Sequence, residues 1–444
     1  MPFSTRRSSC ILFGAVALSG CAAANQGPAV GTWQPSAQHL PLGQSAPKSP
    51  LETVVHGFSG NPDGAFPDAN LAQDKAGHIF GTTVAGGNGG GTVYELTRNG
   101  NAWSESVIHE FQSGVDGGQP YAGLVVDSSG ALYGTTSNGG PNGGGTVFKL
   151  TPSGSAYALT VIHAFGTGPE GAQPLGGVVL GKKGAIFGTT ASGGTSGSGT
   201  VYELVPSASG YTATSLYNFP NPAYTGFGAG NLAIDDKGTI YGTTFNGNRP
   251  GCVDCGNVFK LTPSRSGFVE SDVYDFQGGS DGQNPSGGVS VDSTGAVYGT
   301  TEYGGGGPCA ANPQLGQAAG CGTAYKLTPS GGAYTETILH AFQSGNDGRL
   351  PVSGLAIGHH GVLYGSTQFG GSDYDGTIFA LSPSGNAYSE SIVFTFTGGS
   401  TGYEPYAGVL PAKGGELFGT TVGGPANNGT CQGEPCGIVF ALRP

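Results

Sequence analysis

The residues able to do chemistry form three groups. Six cysteines stand in close pairs: Cys252 with Cys255, Cys309 with Cys321, and Cys431 with Cys436. In an oxidising compartment such spacing makes disulfides, and the three local pairs are the simplest of the fifteen connectivities open to six cysteines. Zinc or redox chemistry at Cys252-Val253-Asp254-Cys255 would need a second nearby pair or a helix N-terminus, and the sequence offers neither. Carboxylates recur in an acid-glycine element: Asp63-Gly64, Asp116-Gly117, Glu170-Gly171, Asp281-Gly282 and Asp347-Gly348. Acids of this kind can bind calcium or cleave glycosidic bonds in pairs, with Tyr303 and Tyr374 as aromatic sugar subsites. The plainer reading is a turn in which the carboxylate accepts backbone N–H groups. Thr225 and Thr401, at the same place in other copies, mean that the turn does not require an acid. His56, His109, His163 and His340 share one repeat position, which holds Tyr217, Tyr274 or Phe394 elsewhere. On outer strands they are too dispersed to build one metal centre, so packing and hydrogen bonding are their expected roles. No catalytic residue is assigned, and no metal or other cofactor is expected.

These positions recur because the chain repeats, and the elements that must hold them follow from one unit. In its second copy the unit reads Ala122 to Gly130, then Leu132-Tyr133-Gly134-Thr135-Thr136, a glycine loop, Gly145 to Pro152, and Leu159 to Phe165. The aromatic-Gly-Thr/Ser-Thr element returns at Phe80, Tyr133, Phe187, Tyr241, Tyr298, Tyr364 and Phe418, every 53 to 66 residues. Each unit holds four short β-rich segments divided by turn signals, the content of a propeller blade. The fold class is therefore all-β: a seven-bladed β-propeller with four-stranded blades over residues 51–444. The outermost-strand element occurs first at Leu51 to Phe58, ahead of the first unit, and has no copy after the last. The N-terminal strand is thus expected to complete the last blade and remove a free edge. With 88 glycines in 444 residues, helix-based folds are excluded, since glycine costs about 1 kcal/mol at a helical position. The same excess produces chance motifs. Gly278 to Gly282 and Gly398 to Gly402 match a nucleophile elbow, and Gly86 to Gly91 a dinucleotide loop, without the strand-turn-helix setting either needs.

At this level the units resemble the GloVer-type tandem repeat of bacterial surface proteins, over residues 51–444. The resemblance implies a propeller-like fold and a surface location, and it assigns no catalytic residues. The N-terminus agrees with that location. Residues 1–20 combine Arg6-Arg7, the apolar run Cys10 to Leu18 and a small-residue end, the plan of a secretion signal. Leu18-Ser19-Gly20-Cys21 resembles the bacterial lipobox, which implies a lipid on Cys21 and, with Ala22 following, the outer membrane. Residues 21–50, rich in Ala, Gln, Pro and Ser, read as a flexible tether. The net charge is -12, and the basic residues are scattered, so nucleic acid is not an expected partner.

Antiparallel strands place the loops after the second strand, and the crossovers from one blade to the next, on the same end of the ring. All six paired cysteines and the acid-glycine elements fall in these longer loops, which makes that end the expected working face. The innermost strands, such as Gly123-Leu124-Val125 and Asn231-Leu232-Ala233, carry no carboxylate or histidine, so no channel metal is expected. The expected function is binding of an extracytoplasmic glycan or protein partner by a monomeric, lipid-anchored propeller through this face. The alternatives are a polysaccharide lyase or glycoside hydrolase using the loop carboxylates, and a purely structural surface protein.

Overall fold

The computed structural model describes residues 51–444 except 221–230, 248–251, 253, 312–317, 386, 425–429 and 432–433. The expected signal and tether, with Cys21, and Thr225 therefore lie outside the described residues. Seven four-stranded antiparallel sheets form, one per repeat, as the repeat count predicts. In the second blade the strands are Val125–Val126, Leu132–Thr136, Thr146–Ser153 and Ala156–Ala164, from axis to rim. The seventh blade consists of Leu410–Pro411, Leu417–Thr421, Ile438–Arg443 and, outermost, the N-terminal strand Leu51–Gly57. Leu51 lies opposite Arg443 and Gly57 opposite Ile438, so the chain's beginning closes the ring. Among the described residues no helix is long and apolar enough to cross a membrane.

The aromatic-Gly-Thr-Thr element has a packing reason. Its glycine lies opposite an aromatic residue of the third strand, Gly134 against Phe148 for example. A Cβ there would meet the Phe148 ring at 2.6 Å, so only glycine lets the ring lie flat over the strand. In five blades the last threonine then bonds a third-strand hydroxyl, as in Thr136 with Thr146 at 2.8 Å.

The core consists of seven apolar layers, one between each pair of blades. Phe80, Val93, Phe111, Leu124, Leu132, Phe148 and Leu150 form the layer between the first and second blades. An edge-on or tilted aromatic pair crosses each of the seven junctions, from Phe58–Tyr94 and Phe111–Phe148 round to Phe396–Phe440, with ring centroids 4.9–5.6 Å apart.

A bulge in every outer hairpin makes this layering possible. In the first blade Val107 pairs with Tyr94 but His109 with Val93, leaving Ile108 as the extra residue. One extra residue reverses the face that later side chains take. The same strand therefore sends Glu105 toward the preceding junction and His109 and Phe111 toward the following one.

At the axis Asn70, Gly123, Gly177, Asn231, Gly288, Gly354 and Gly408 each stand two residues ahead of an innermost strand. Asn70 Oδ1 accepts from Gly408 N at 2.7 Å, and Asn231 Oδ1 from Gly177 N at 3.0 Å. A Cβ on Gly123 would sit 2.4 Å from Asn70 O, so backbone closure needs these glycines. A channel of about 400 Å³ runs along the strands, lined by Asn70, Asn231, Leu232, Val289, Leu355 and Val409 among others.

Candidate functional site

The acids singled out in the sequence lie at the rim, each held by its own crossover. Asp63 accepts from Ser59 N and Ser59 Oγ, Asp116 from Gln112 N, Asp281 from Gln277 N, and Asp347 from Gln343 N. In each case the backbone donor is four residues upstream, the Asp-made turn of the plainer reading. Thr401 does the same work with its hydroxyl, accepting from Thr397 N at 3.0 Å. The shared histidine position supplies a second partner. His56, His109, His163 and His340 lie 2.8–3.3 Å from Asp63, Asp116, Glu170 and Asp347, and each packs edge-on against the phenylalanine two residues on. Tyr274 replaces histidine beside Asp281 at 2.6 Å. Burial opposes ionisation of Asp63, but the bonds from His56 and Ser59 outweigh it and hold its carboxyl below the usual range. The five acids are thus distributed one per junction, and none shares a junction with another. Tyr374 is 57 % exposed under the Arg349 guanidinium, whereas Tyr303 is buried, at 9 % exposure.

A different group of acids converges nearer the axis on the same face, at the mouth of the channel. Just ahead of a proline in six of the crossovers, a residue takes a positive φ: Phe66, Gln119, Gln173, Asn284, Leu350 and Glu404, at 55–59°. Strained backbone of this kind persists only when neighbours fix it. Here the residue's carbonyl accepts from the backbone N–H just beyond its own blade's second strand, as Asn284 O does from Glu302 N and Glu404 O from Val422 N. Its N–H donates to the loop of the preceding blade. The acceptors include Cys255 O for Asn284, Cys321 O for Leu350 and Cys436 O for Phe66. All three predicted disulfides form, and the second cysteine of each braces the mouth of the next blade.

Three carboxylic acids belong to this mouth, each at a different repeat position. Asp68 lies two residues beyond Phe66, Glu302 bonds Asn284, and Glu404 is itself a positive-φ residue. Burial, followed by the charge of Glu404, lifts the Asp68 carboxyl to about 7. Burial lifts Glu302 to about 7 as well, against bonds from Ser286 and Tyr303 that favour its charged form. Asp68 Oδ1 is buried without a hydrogen-bond partner. Tyr406, bonded by Gln368 Nε2, is raised by burial and then by the charges of Glu404, Asp68 and Glu302, which ties the three acids to one neighbourhood. Tyr121 is raised by burial and by Asp68. Two carboxyls that titrate near neutrality among tyrosines can donate and accept hydrogen bonds and can exchange protons with a bound molecule.

The acid-glycine pattern did not reveal this cluster, because none of its members repeats. Departure from the repeat is the signal that finds it. Glu302 stands where other blades have Val84, Ser137, Ala191, Phe245, Gln368 and Val422, and Asp68 where others have Tyr121, Leu175, Ser286, Val352 and Tyr406.

A family model described as the Gloeobacter/Verrucomicrobia repeat matches residues 44–179, 127–312 and 309–444. No curated protein matches the sequence. Similar solved structures include a GH74 enzyme of Niastella koreensis, at 18% identity and a TM-score of 0.47, covering 79% of this chain and 50% of that one. A gluconolactonase of Xanthomonas campestris is similar at 12% identity and a TM-score of 0.40, covering 71% of this chain and 86% of that one.

Proposed function

The chain belongs to the Gloeobacter/Verrucomicrobia repeat family, and from that premise we propose that it is an exported propeller that binds a glycan at the axial mouth of its loop face. One observation carries the reading: Asp68, Glu302 and Glu404 gather with Tyr121, Tyr303 and Tyr406, and disulfide-bonded loops brace the crossover that carries Asp68 and the one that Glu302 bonds. Protonated or shared carboxyls and tyrosine hydroxyls suit the hydroxyl groups of a sugar, and braced loops lose little conformational entropy on binding. The three disulfides fit an extracytoplasmic setting. In this reading Cys21 carries a lipid that tethers a monomeric propeller to the outer membrane, and the substitution Cys21→Ser releases it from the membrane fraction.

A second reading has support from the same place. A carboxyl near pKa 7 is suited to general acid catalysis of glycosidic cleavage, so the enzyme alternative moves from the rim acids to Asp68 and Glu302. Incubating the purified protein with cell-wall and plant polysaccharides, with and without chelator, separates the two. Retention on a polysaccharide without products in mass spectrometry supports binding. Products that disappear in the E302Q variant establish the enzyme instead, and neither retention nor products rejects both.

A further inference from the structure

We propose that His340, Asp347 and Glu390 form a binding site for one divalent transition-metal ion of the zinc class, clamping the fifth blade to the sixth. His340 ends the outermost strand of the fifth blade, Ala333–Ala341, and Asp347 belongs to the crossover that follows. Glu390 comes from the outermost strand of the sixth blade, Ala387–Thr395, on the part ahead of its bulge that faces the fifth. Each residue offers one ligand atom within 4.8 Å of the others. An imidazole nitrogen with two carboxylate oxygens is a donor set for zinc, nickel or copper rather than for calcium.

Two features prepare the site. Asp347 is already oriented, since Gln343 N donates to Oδ2 while Oδ1 lies 2.8 Å from His340 Nε2. Glu390 Oε1 is buried and has no hydrogen-bond partner, a costly state that it shares with Glu52, Glu105 and Glu336 at the same repeat position and that a cation held with His340 and Asp347 would relieve here. Zinc bonds of about 2.1 Å place neighbouring ligand atoms roughly 3.4 Å apart. Reaching that geometry requires Glu390 to rotate inward and the His340–Asp347 hydrogen bond to open.

The repeat supplies the comparison. The corresponding triplets at other junctions are His109, Asp116 and Leu159, then Tyr274, Asp281 and Glu336, and then Phe394, Thr401 and Glu52. The first lacks the third donor, the second the imidazole, and the last both partners of the glutamate. At His56, Asp63 and Glu105 the residue types are right, but among the described residues only the fifth-to-sixth junction brings the three ligand atoms within this distance. The arrangement uses one histidine per ion, so the dispersal of the histidines round the rim does not count against it.

The test is calorimetric titration of the chelator-stripped full-length protein with Zn²⁺ at pH 7.5, and with Co²⁺ for its visible spectrum. One equivalent is expected to bind, and E390Q, which keeps the side-chain shape, is expected to weaken binding at least tenfold. H340F is expected to do the same. It installs the residue that the sixth blade carries at this position, Phe394, and circular dichroism checks that it folds. H109F, at a junction with no third donor, is expected to leave the titration unchanged. Absence of saturable binding by the folded wild-type protein overturns the proposal. So does a stoichiometry and affinity preserved in both E390Q and folded H340F.

Discussion

The rim and the mouth of this propeller both carry acids on the same loop face, and they differ in how those acids are held. At the rim, Asp63, Asp116, Glu170, Asp281 and Asp347 occupy one repeat position, and four of them accept the N–H four residues upstream. At the mouth, Asp68, Glu302 and Glu404 occupy three different repeat positions. Asp68 and Glu302 are lifted to about 7, chiefly by burial, and Asp68 Oδ1 has no partner. A residue that recurs in blade after blade does work that every blade needs, which is to shape a turn or fill a junction. Acids that break the repeat contribute nothing of that kind to their own blades, and the unpartnered Asp68 Oδ1 leaves capacity for a ligand.

Each expected outcome below can break that comparison. The largest concerns a junction. Phe111→Ala removes the ring that packs edge-on against Phe148 and is expected to cost about 3–5 kcal/mol in chemical denaturation. Polysaccharide retention per folded molecule should be unchanged, and loss of retention with the fold intact would merge the two regions. Replacing both Cys431 and Cys436 by serine is expected to cost about 2 kcal/mol. Because Cys436 O holds Phe66 N beside Asp68, it should also weaken retention, and a purely thermal effect would detach the disulfide from the mouth. The D68N and E302Q double variant is expected to lose retention at least tenfold, about 1.4 kcal/mol, with its melting temperature at neutral pH not lowered. Asp116→Asn is expected to lose about 1 kcal/mol of stability through its turn and leave retention alone.

The smallest effect is a pH dependence. Burial raises Asp68 and Glu302 to about 7 from unfolded values near 4, so between those limits the folded chain holds more protons than the unfolded one. Stability from these groups is therefore present below about pH 4 and lost as pH rises to 7, by less than about 1 kcal/mol per site once solvent at the mouth is allowed for. The double variant should flatten this part of the profile, and an unchanged slope would mean that the acids are not held as described.

Much of this was legible before any coordinates. Seven copies of one unit, with the outer-strand element Leu51 to Phe58 displaced to the front, implied both the ring and its closure. The three cysteine pairs and the turn-making role of the rim acids could be read from local spacing. The bulge after Val107 could not, although it decides that Glu105 and His109 face opposite neighbours. Nor could the mouth, because Asp68, Glu302 and Glu404 are far apart in sequence and share no motif.

What the sequence determined by itself was everything that repetition and local chemistry control: strand number, turn composition, disulfide partners and closure. Only the tertiary structure decided which residues meet across blades. Closing the ring brings residues from blades 1, 5 and 7 to one axis, and the bulges direct side chains from adjacent blades into one junction. Both depend on backbone geometry summed over the whole circle, which no single repeat contains.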